Sequence, residues 1–463
     1  MRWLFQLAIV STAGCLTLHA GETAPATVMG KGAANLIAAA ERDDLEAVRQ
    51  LVKEGVSAQQ ANRYGATPLV LACQNGNVVM TTLLLEAGAD ANAPTAGGGT
   101  VLMTAARTGG AGCVKALLAS GAKVNAREYR QQTALMWAAH EGHTKVVELL
   151  LEAGADFRSP LKSGFTPLLF AVRQGQSGTI AALLKAGADI NEPATPEKSG
   201  GRTLRAGTSA LMLAVENAHY ELAVALIKAG AEVNDQRSGF TPLHAVAGAR
   251  RTPRGDGDDG IPPPAGSGNV TSLEFVKVLA AAGADFDARL ERGSGGGGNL
   301  NTKGATAFLL AAANSDIALL KLLHELGADP ALPNADHCPP LLAACGVGVT
   351  APGEEPGTET EALATVNWLL DLGADINTAD HRGETAMHGA AYKISPGLVT
   401  LLDQRGADIA IWNRPNKSGW TPLLIAQGFR QGNFRPIAAM EELISKVMRA
   451  KGITPPPAPA RKP

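Results

Sequence analysis

Apolar residues return at helical spacing along most of this chain, in two short runs separated by a turn, and the two-run unit then recurs. The stretch Thr133–Gly164, TALMWAAHEGHTKVVELLLEAGADFRSPLKSG, shows the unit in full. Leu135, Val146, Val147, Leu149 and Leu150 mark the apolar faces, and Ala138 and Ala139 are small enough to let paired helices approach closely. Thr133 is placed to cap the first helix. The second is predicted over Lys145–Ala153, with Gly154 supplying the left-handed residue that ends it.

Two markers fix the period. Cap residues fall at Thr67, Thr100, Thr133, Thr166, Ser209, Thr241, Thr306, Pro339, Thr385 and Thr421; terminating glycines fall at Gly55, Gly88, Gly121, Gly154, Gly187, Gly230, Gly283, Gly327, Gly373 and Gly406. From Gly55 to Gly187 the glycines step by 33 residues each time. Cap to glycine is normally 21 residues but 42 from Thr241 and 34 from Pro339, which places insertions between paired helices at 250–268 and 346–360. Glycine to next cap is normally 12 but 22 after Gly187, 23 after Gly283 and 15 after Gly406. The linking loops are therefore lengthened near 192–206, 289–303 and Trp412–Ser418, and loops absorb the variation while helices are spared.

The markers resemble the ankyrin repeat, whose usual core is G-x-T-P-L-H-x-A-A-x-x-G-H followed by L-L-x-x-G-A-D-x-N. Thr67-Pro68-Leu69, Thr166-Pro167-Leu168, Thr241-Pro242-Leu243-His244 and Thr421-Pro422-Leu423 carry the first half. Gly88-Ala89-Asp90, Gly187-Ala188-Asp189, Gly283-Ala284-Asp285, Gly373-Ala374-Asp375 and Gly406-Ala407-Asp408 carry the second. The resemblance implies an all-α solenoid of helix-turn-helix units over 33–450, with β-hairpin-like finger loops and about 11 units including caps. Asn35–Gly55 and the charged helix expected at Ala438–Ala450 serve as the caps.

The ends add different information. Arg2 and the apolar run Trp3–Leu18 fit a bacterial-type secretory signal over 1–20, cut after Ala20. Thr12-Ala13-Gly14-Cys15 also resembles a lipoprotein box with Cys15 lipidated. Residues 21–32 read as a linker and 451–463 as a Pro-rich tail. The expected location is exported: periplasmic or extracellular, or anchored to the membrane through Cys15. A net charge of -2 points away from nucleic acid and leaves the membrane contact to the N-terminus.

Composition offers little catalytic chemistry. The five cysteines form no CxxC pair or zinc spacing; Cys73 and Cys345 occupy packing positions, while the thiol states of Cys73, Cys113, Cys338 and Cys345 stay open. His140-Glu141-Gly142-His143 places its histidines three apart rather than four, so no metal or catalytic role is assigned. His143 and His219 are expected to bond backbone at turns. In the resembled family His244 and His388 join a repeat-to-repeat hydrogen-bond network. No cofactor is expected. An enzyme built on the 240–360 insertions is the contrasting reading, and it lacks a catalytic constellation.

What remains is a binding surface. The resemblance places it on finger tips and the exposed side of first helices. The positions concerned are the residue before the cap (Gln132, Phe165, Thr208, Phe240) and the two after the Ala-Ala pair (His140 and Glu141, Arg173 and Gln174, Glu216 and Asn217). Phe165 and Phe240 read as exposed anchors or as covers for the next finger; Trp137 reads as core. A non-enzymatic, monomeric scaffold presenting a concave surface to a protein partner is the expected function, with a membrane-anchored structural or protective lipoprotein of the envelope as the alternative.

Overall fold

The computed structural model describes residues 31–95, 98–198, 203–251, 264–293, 299–353, 355–430 and 435–459. The expected signal at 1–20, Cys15, and the linker up to residue 30 lie outside the described residues. Among the described residues there are 23 helices and no strand. Two isolated antiparallel bridges, Pro94 with Thr100 and Ala379 with Thr385, are the β-like component of the fingers. Twenty-two helices fall into eleven consecutive pairs, and Ile409–Trp412 is a single extra turn. The chain divides into two compact units, one ending at Ala206 and the other starting at Gly207. Within each, a helix packs on its partner and on the helix of the same rank in the next pair.

The pair Ala134–Glu141 and Thr144–Glu152 shows why this sequence folds so. Thr133 Oγ1 accepts a hydrogen bond from the Met136 amide at 3.3 Å, satisfying one of the orphan donors of the first turn. Gly142 ends the helix at φ 81°. Leu135, Ala138, Ala139, Val147 and Leu150 have no solvent exposure. Alanine at two adjacent inward positions leaves room for the flanking first helices, so large apolar side chains are carried mostly on either side of the pair.

Gly154 is required by conformation and not by space. Its φ is 82°, and a Cβ added there would meet nothing within 4 Å. Gly207 differs, since an added Cβ would lie 2.2 Å from Arg237 O. The Asp two residues after the terminating glycine folds the chain into the finger: Asp90, Asp156, Asp285 and Asp375 each accept, through Oδ1, the amide two residues ahead at 2.8–3.0 Å.

Register between pairs is set by an amide four residues after that glycine. Asn125 Nδ2 donates to Gly154 O at 3.1 Å while its Oδ1 accepts from Asp156 N at 2.8 Å. Asn92 does the same with Gly121 O and Lys123 N, and Asn234 with Gly283 O and Asp285 N. After Gly154 the position holds Arg158, which lies over the Phe157 ring at 4.5 Å.

Several boundaries differ from the sequence expectation. The first helix begins at Lys31, inside the expected linker, because residues 31–32 continue its turn. Arg250 is the last residue of the helix Pro242–Arg250, not loop. Glu359 and Thr360 belong to the helix Glu359–Asp371, which a Thr358/Glu361 capping box starts early. Trp412 is helical and 2% exposed, so the expected finger Trp412–Ser418 begins one residue later. Of the insertion 192–206, residues 199–202 lie outside the described residues; on either side of them Glu197 N donates to Lys162 O at 2.9 Å and Leu204 N to Ser163 O at 3.0 Å, on the previous finger. Of the insertion 250–268, residues 252–263 lie outside the described residues. Its start is tied down: Arg250 pairs with Asp316 at 2.7 Å and Arg251 with Glu361 at 2.6 Å. The Arg251 guanidinium holds Glu361 down at about 2.

Asn125→Ala should lower unit stability by about 1 kcal/mol, the net worth of the lost hydrogen bonds at an exposed site. Arg158→Asn, which supplies the missing amide, should raise it by a similar amount. Denaturant midpoints check both, and an unchanged midpoint in both variants would remove the amide's assigned role.

Candidate partner-binding faces

In the first unit the structure gathers four of the expected surface residues around one aromatic pair. Phe165 is 4% exposed and stacks on Phe170, with ring centroids 4.8 Å apart. The expectation that Phe165 is an exposed anchor is therefore corrected. It sits beneath the face, because the residue before the cap turns inward onto its own first helix. Arg173 covers its ring at 5.5 Å. His140, from the preceding pair, meets the Phe170 ring edge-on at 6.0 Å, and Gln174 Nε2 stands 3.3 Å from His140 Nδ1. Burial lowers His140 below the ordinary histidine range, with Glu141 opposing and Arg173 assisting; burial likewise lowers Arg173. Glu141 is exposed beside this cluster, and Gln132 is half-buried. Trp137 is also half-buried, with Arg107 lying 5.8 Å from its ring centroid. The face thus presents cations laid on rings, with His140 and Gln174 as adaptable hydrogen-bonding groups.

In the second unit Thr208 and Asn217 are turned to other uses. Thr208 is buried at 1% exposure, which corrects its reading as a surface position. Asn217 ends its helix and donates to Leu213 O at 2.8 Å, so its amide serves the helix end. Glu216 and Phe240 are half-buried.

The same register rule selects two residues that the sequence reading, confined to the regular middle, passed over: Glu384 before the cap Thr385, and Tyr392 after Ala390-Ala391. Both are buried, and the Tyr392 hydroxyl donates to Glu384 Oε1 at 3.1 Å. A carboxylate at a position that every other repeat fills with an uncharged residue was the available signal.

Four histidines bond main-chain groups of neighbouring segments. His143 bonds backbone, but of the preceding pair: its Nε2 is 2.9 Å from Arg107 O. His219 Nδ1 accepts from Ser267 N at 3.0 Å. His244 Nδ1 accepts from Thr241 N at 3.2 Å, so its proton is on Nε2, which donates to Ala305 O at 3.1 Å. His388 repeats this with Thr385 N at 3.3 Å and Trp420 O at 3.1 Å. Cys73, Cys113, Cys338 and Cys345 are buried free thiols. Among the described residues no group of three or more His, Cys, Asp or Glu stands together to hold a metal ion, and no helix is long and apolar enough to cross a membrane.

Burial pushes His244 and His388 to about 4. A histidine lowered by folding contributes stability above its unfolded value near 6.5 that is lost as pH falls from there to about 4. Glu384, raised to about 7 chiefly by burial, acts oppositely, because folding favours its protonated form. The second unit should therefore lose stability between pH 6.5 and 4.5, and lose it more steeply in Glu384→Gln, where the opposing group is gone. Thermal melts at stepped pH check the order of the two slopes.

Residues 36–128 and 126–194 match a family model described as ankyrin repeats (3 copies), and residues 206–237 match a single ankyrin repeat. The chain is also similar to the crystal structure of the human ASB11 ankyrin repeat domain, at 25% identity and a TM-score of 0.44, over 57% of this chain and 100% of that one. No curated protein matches.

Proposed function

Because ankyrin repeats build this chain, a repeat type that implies a protein-interaction scaffold, we propose that it is a non-enzymatic scaffold acting in the cell envelope or outside the cell. The observation that carries the reading is the first-unit face, where Arg173, His140 and Gln174 are held around the Phe165–Phe170 stack. These side chains are ordered before any partner arrives, so binding loses little rotamer freedom there. The partner is a protein, engaged by a monomer of this chain. Export rests on residues 1–20, with Ala20 as the cleavage point and Cys15 as the alternative lipid anchor.

Crosslinked capture from extracts of the source organism tests the face. The triple variant His140→Ala, Arg173→Ala, Gln174→Ala should lose at least tenfold of the captured partner with an unchanged melting temperature. A control block on the outer helix, Lys145→Ala with Glu148→Ala, should retain it. Equal capture by all three proteins would reject this face. Mass spectrometry of the mature N-terminus tests export: a chain starting at Gly21, or at a lipidated Cys15, is the expected product, and an intact Met1 would overturn it.

A further inference from the structure

A polar cavity of about 270 Å³ opens in the second unit, where Glu384, Tyr392, Asn416 and Arg430 meet Arg382 and Lys417. Its walls form a connected network with fixed donor directions. Asn416 Oδ1 accepts from the amides of Ser418 and Trp420, each at 2.9 Å, which sets the orientation of its side-chain amide. Nδ2 must then face inward, and it donates to Glu384 Oε1 at 2.8 Å and to the Tyr392 hydroxyl at 3.1 Å. The Tyr392 hydroxyl donates to the same Oε1 at 3.1 Å. Arg430, 6% exposed, closes the rear by donating to Tyr392 O at 2.7 Å and Val349 O at 3.1 Å, with its guanidinium over the Tyr392 ring.

Oε1 of Glu384 is thus doubly supplied, while the buried Oε2 has no hydrogen-bond partner. A proton on this carboxyl belongs on Oε2, since Oε1 already accepts two hydrogens. The charged groups around it are Arg382, Arg430 and Lys417 on one side of the balance and Asp380 and Asp336 on the other, with Arg382 Nε 3.5 Å from Asp380 Oδ2 and 3.8 Å from Asp336 Oδ2. Burial, with Asp380 adding to it, raises Glu384 to about 7, and the hydrogen bonds from Asn416 and Tyr392 oppose this. A neutral carboxyl has an O–H to give, and the Arg382, Arg430 and Lys417 side chains line the same cavity. That combination suits an anion able to accept a hydrogen bond, and it disfavours an ammonium.

We propose that this cavity binds a carboxylate group, one oxygen of which accepts the Oε2–H of Glu384 while Arg382 and Lys417 neutralise its charge. The carboxylate belongs either to a small organic acid or to an acidic side chain of a bound protein; the volume holds a fragment of a few heavy atoms in either case. The site lies within residues 349–430, apart from the first-unit face, and does not rest on the scaffold reading.

Isothermal titration of the full chain tests it with three probes: succinate, an acetylated Gly-Asp-Gly peptide amide, and ethylamine. Saturable binding of succinate, or of the peptide alone, supports the site and tells the two sources apart. Affinity should weaken roughly tenfold from pH 6 to pH 8, because the competent form is the protonated one. Glu384→Gln, which keeps a donor where Oε2 stands, should bind across that range with little pH dependence. Arg382→Ala and Lys417→Ala should each lose tenfold or more, with melting temperatures confirming that the variants are folded. Absence of binding by both carboxylates at pH 6, tighter binding at higher pH, or binding of ethylamine alone would overturn the proposal.

Discussion

A side-chain amide four residues beyond the terminating glycine, at Asn92, Asn125 and Asn234, joins each of those helix pairs to the next. The glycine leaves a helix-end carbonyl without an intrahelical donor, and the preceding repeat's asparagine reaches it while accepting the amide two residues further on. This is a two-point contact between main chain and a short, stiff side chain, so it fixes rotation and translation of one pair against the next. The left-handed glycine and the Asp turn exist to present that carbonyl and amide at the right place. The alanine pairs then permit close stacking of first helices without further adjustment.

Where the amide is absent, other contacts carry the register. Arg158 stands in its position after Gly154, and Glu197 and Leu204 of the lengthened loop donate their amides to the previous finger. In the second unit Asp287 supplies half of the contact by accepting Asp329 N, and ion pairs from Arg250 to Asp316 and from Arg251 to Glu361 cross the long insertion. Variation in the loops is therefore accompanied by anchoring at their roots. The buried Glu384, bonded to Tyr392 and Asn416, stands at the register position that Phe165 fills in the first unit.

The two faces show how one register yields different chemistry. In the first unit the residue before the cap is Phe165, and the product is a ring stack topped by Arg173. In the later pair it is Glu384, and the product is a polar cavity. Repeat geometry holds these positions near one another in every pair, so a single substitution changes the character of a face without disturbing the stack.

The period, the caps and the terminating glycines were legible in the chain alone, because each depends on local backbone chemistry: a Thr hydroxyl three residues from an amide, a glycine where φ is positive, an Asp that closes a turn. Which side chains meet across pairs was not legible. Phe165 was expected at the surface but turned inward, since burial depends on Phe170 in its own helix and on the neighbouring pair. Glu384 and Asn416 are 32 residues apart and came together only through stacking. Sequence spacing determined where helices start and stop; the tertiary structure alone decided which polar groups are shielded from water, because desolvation is set by neighbours that spacing does not reveal.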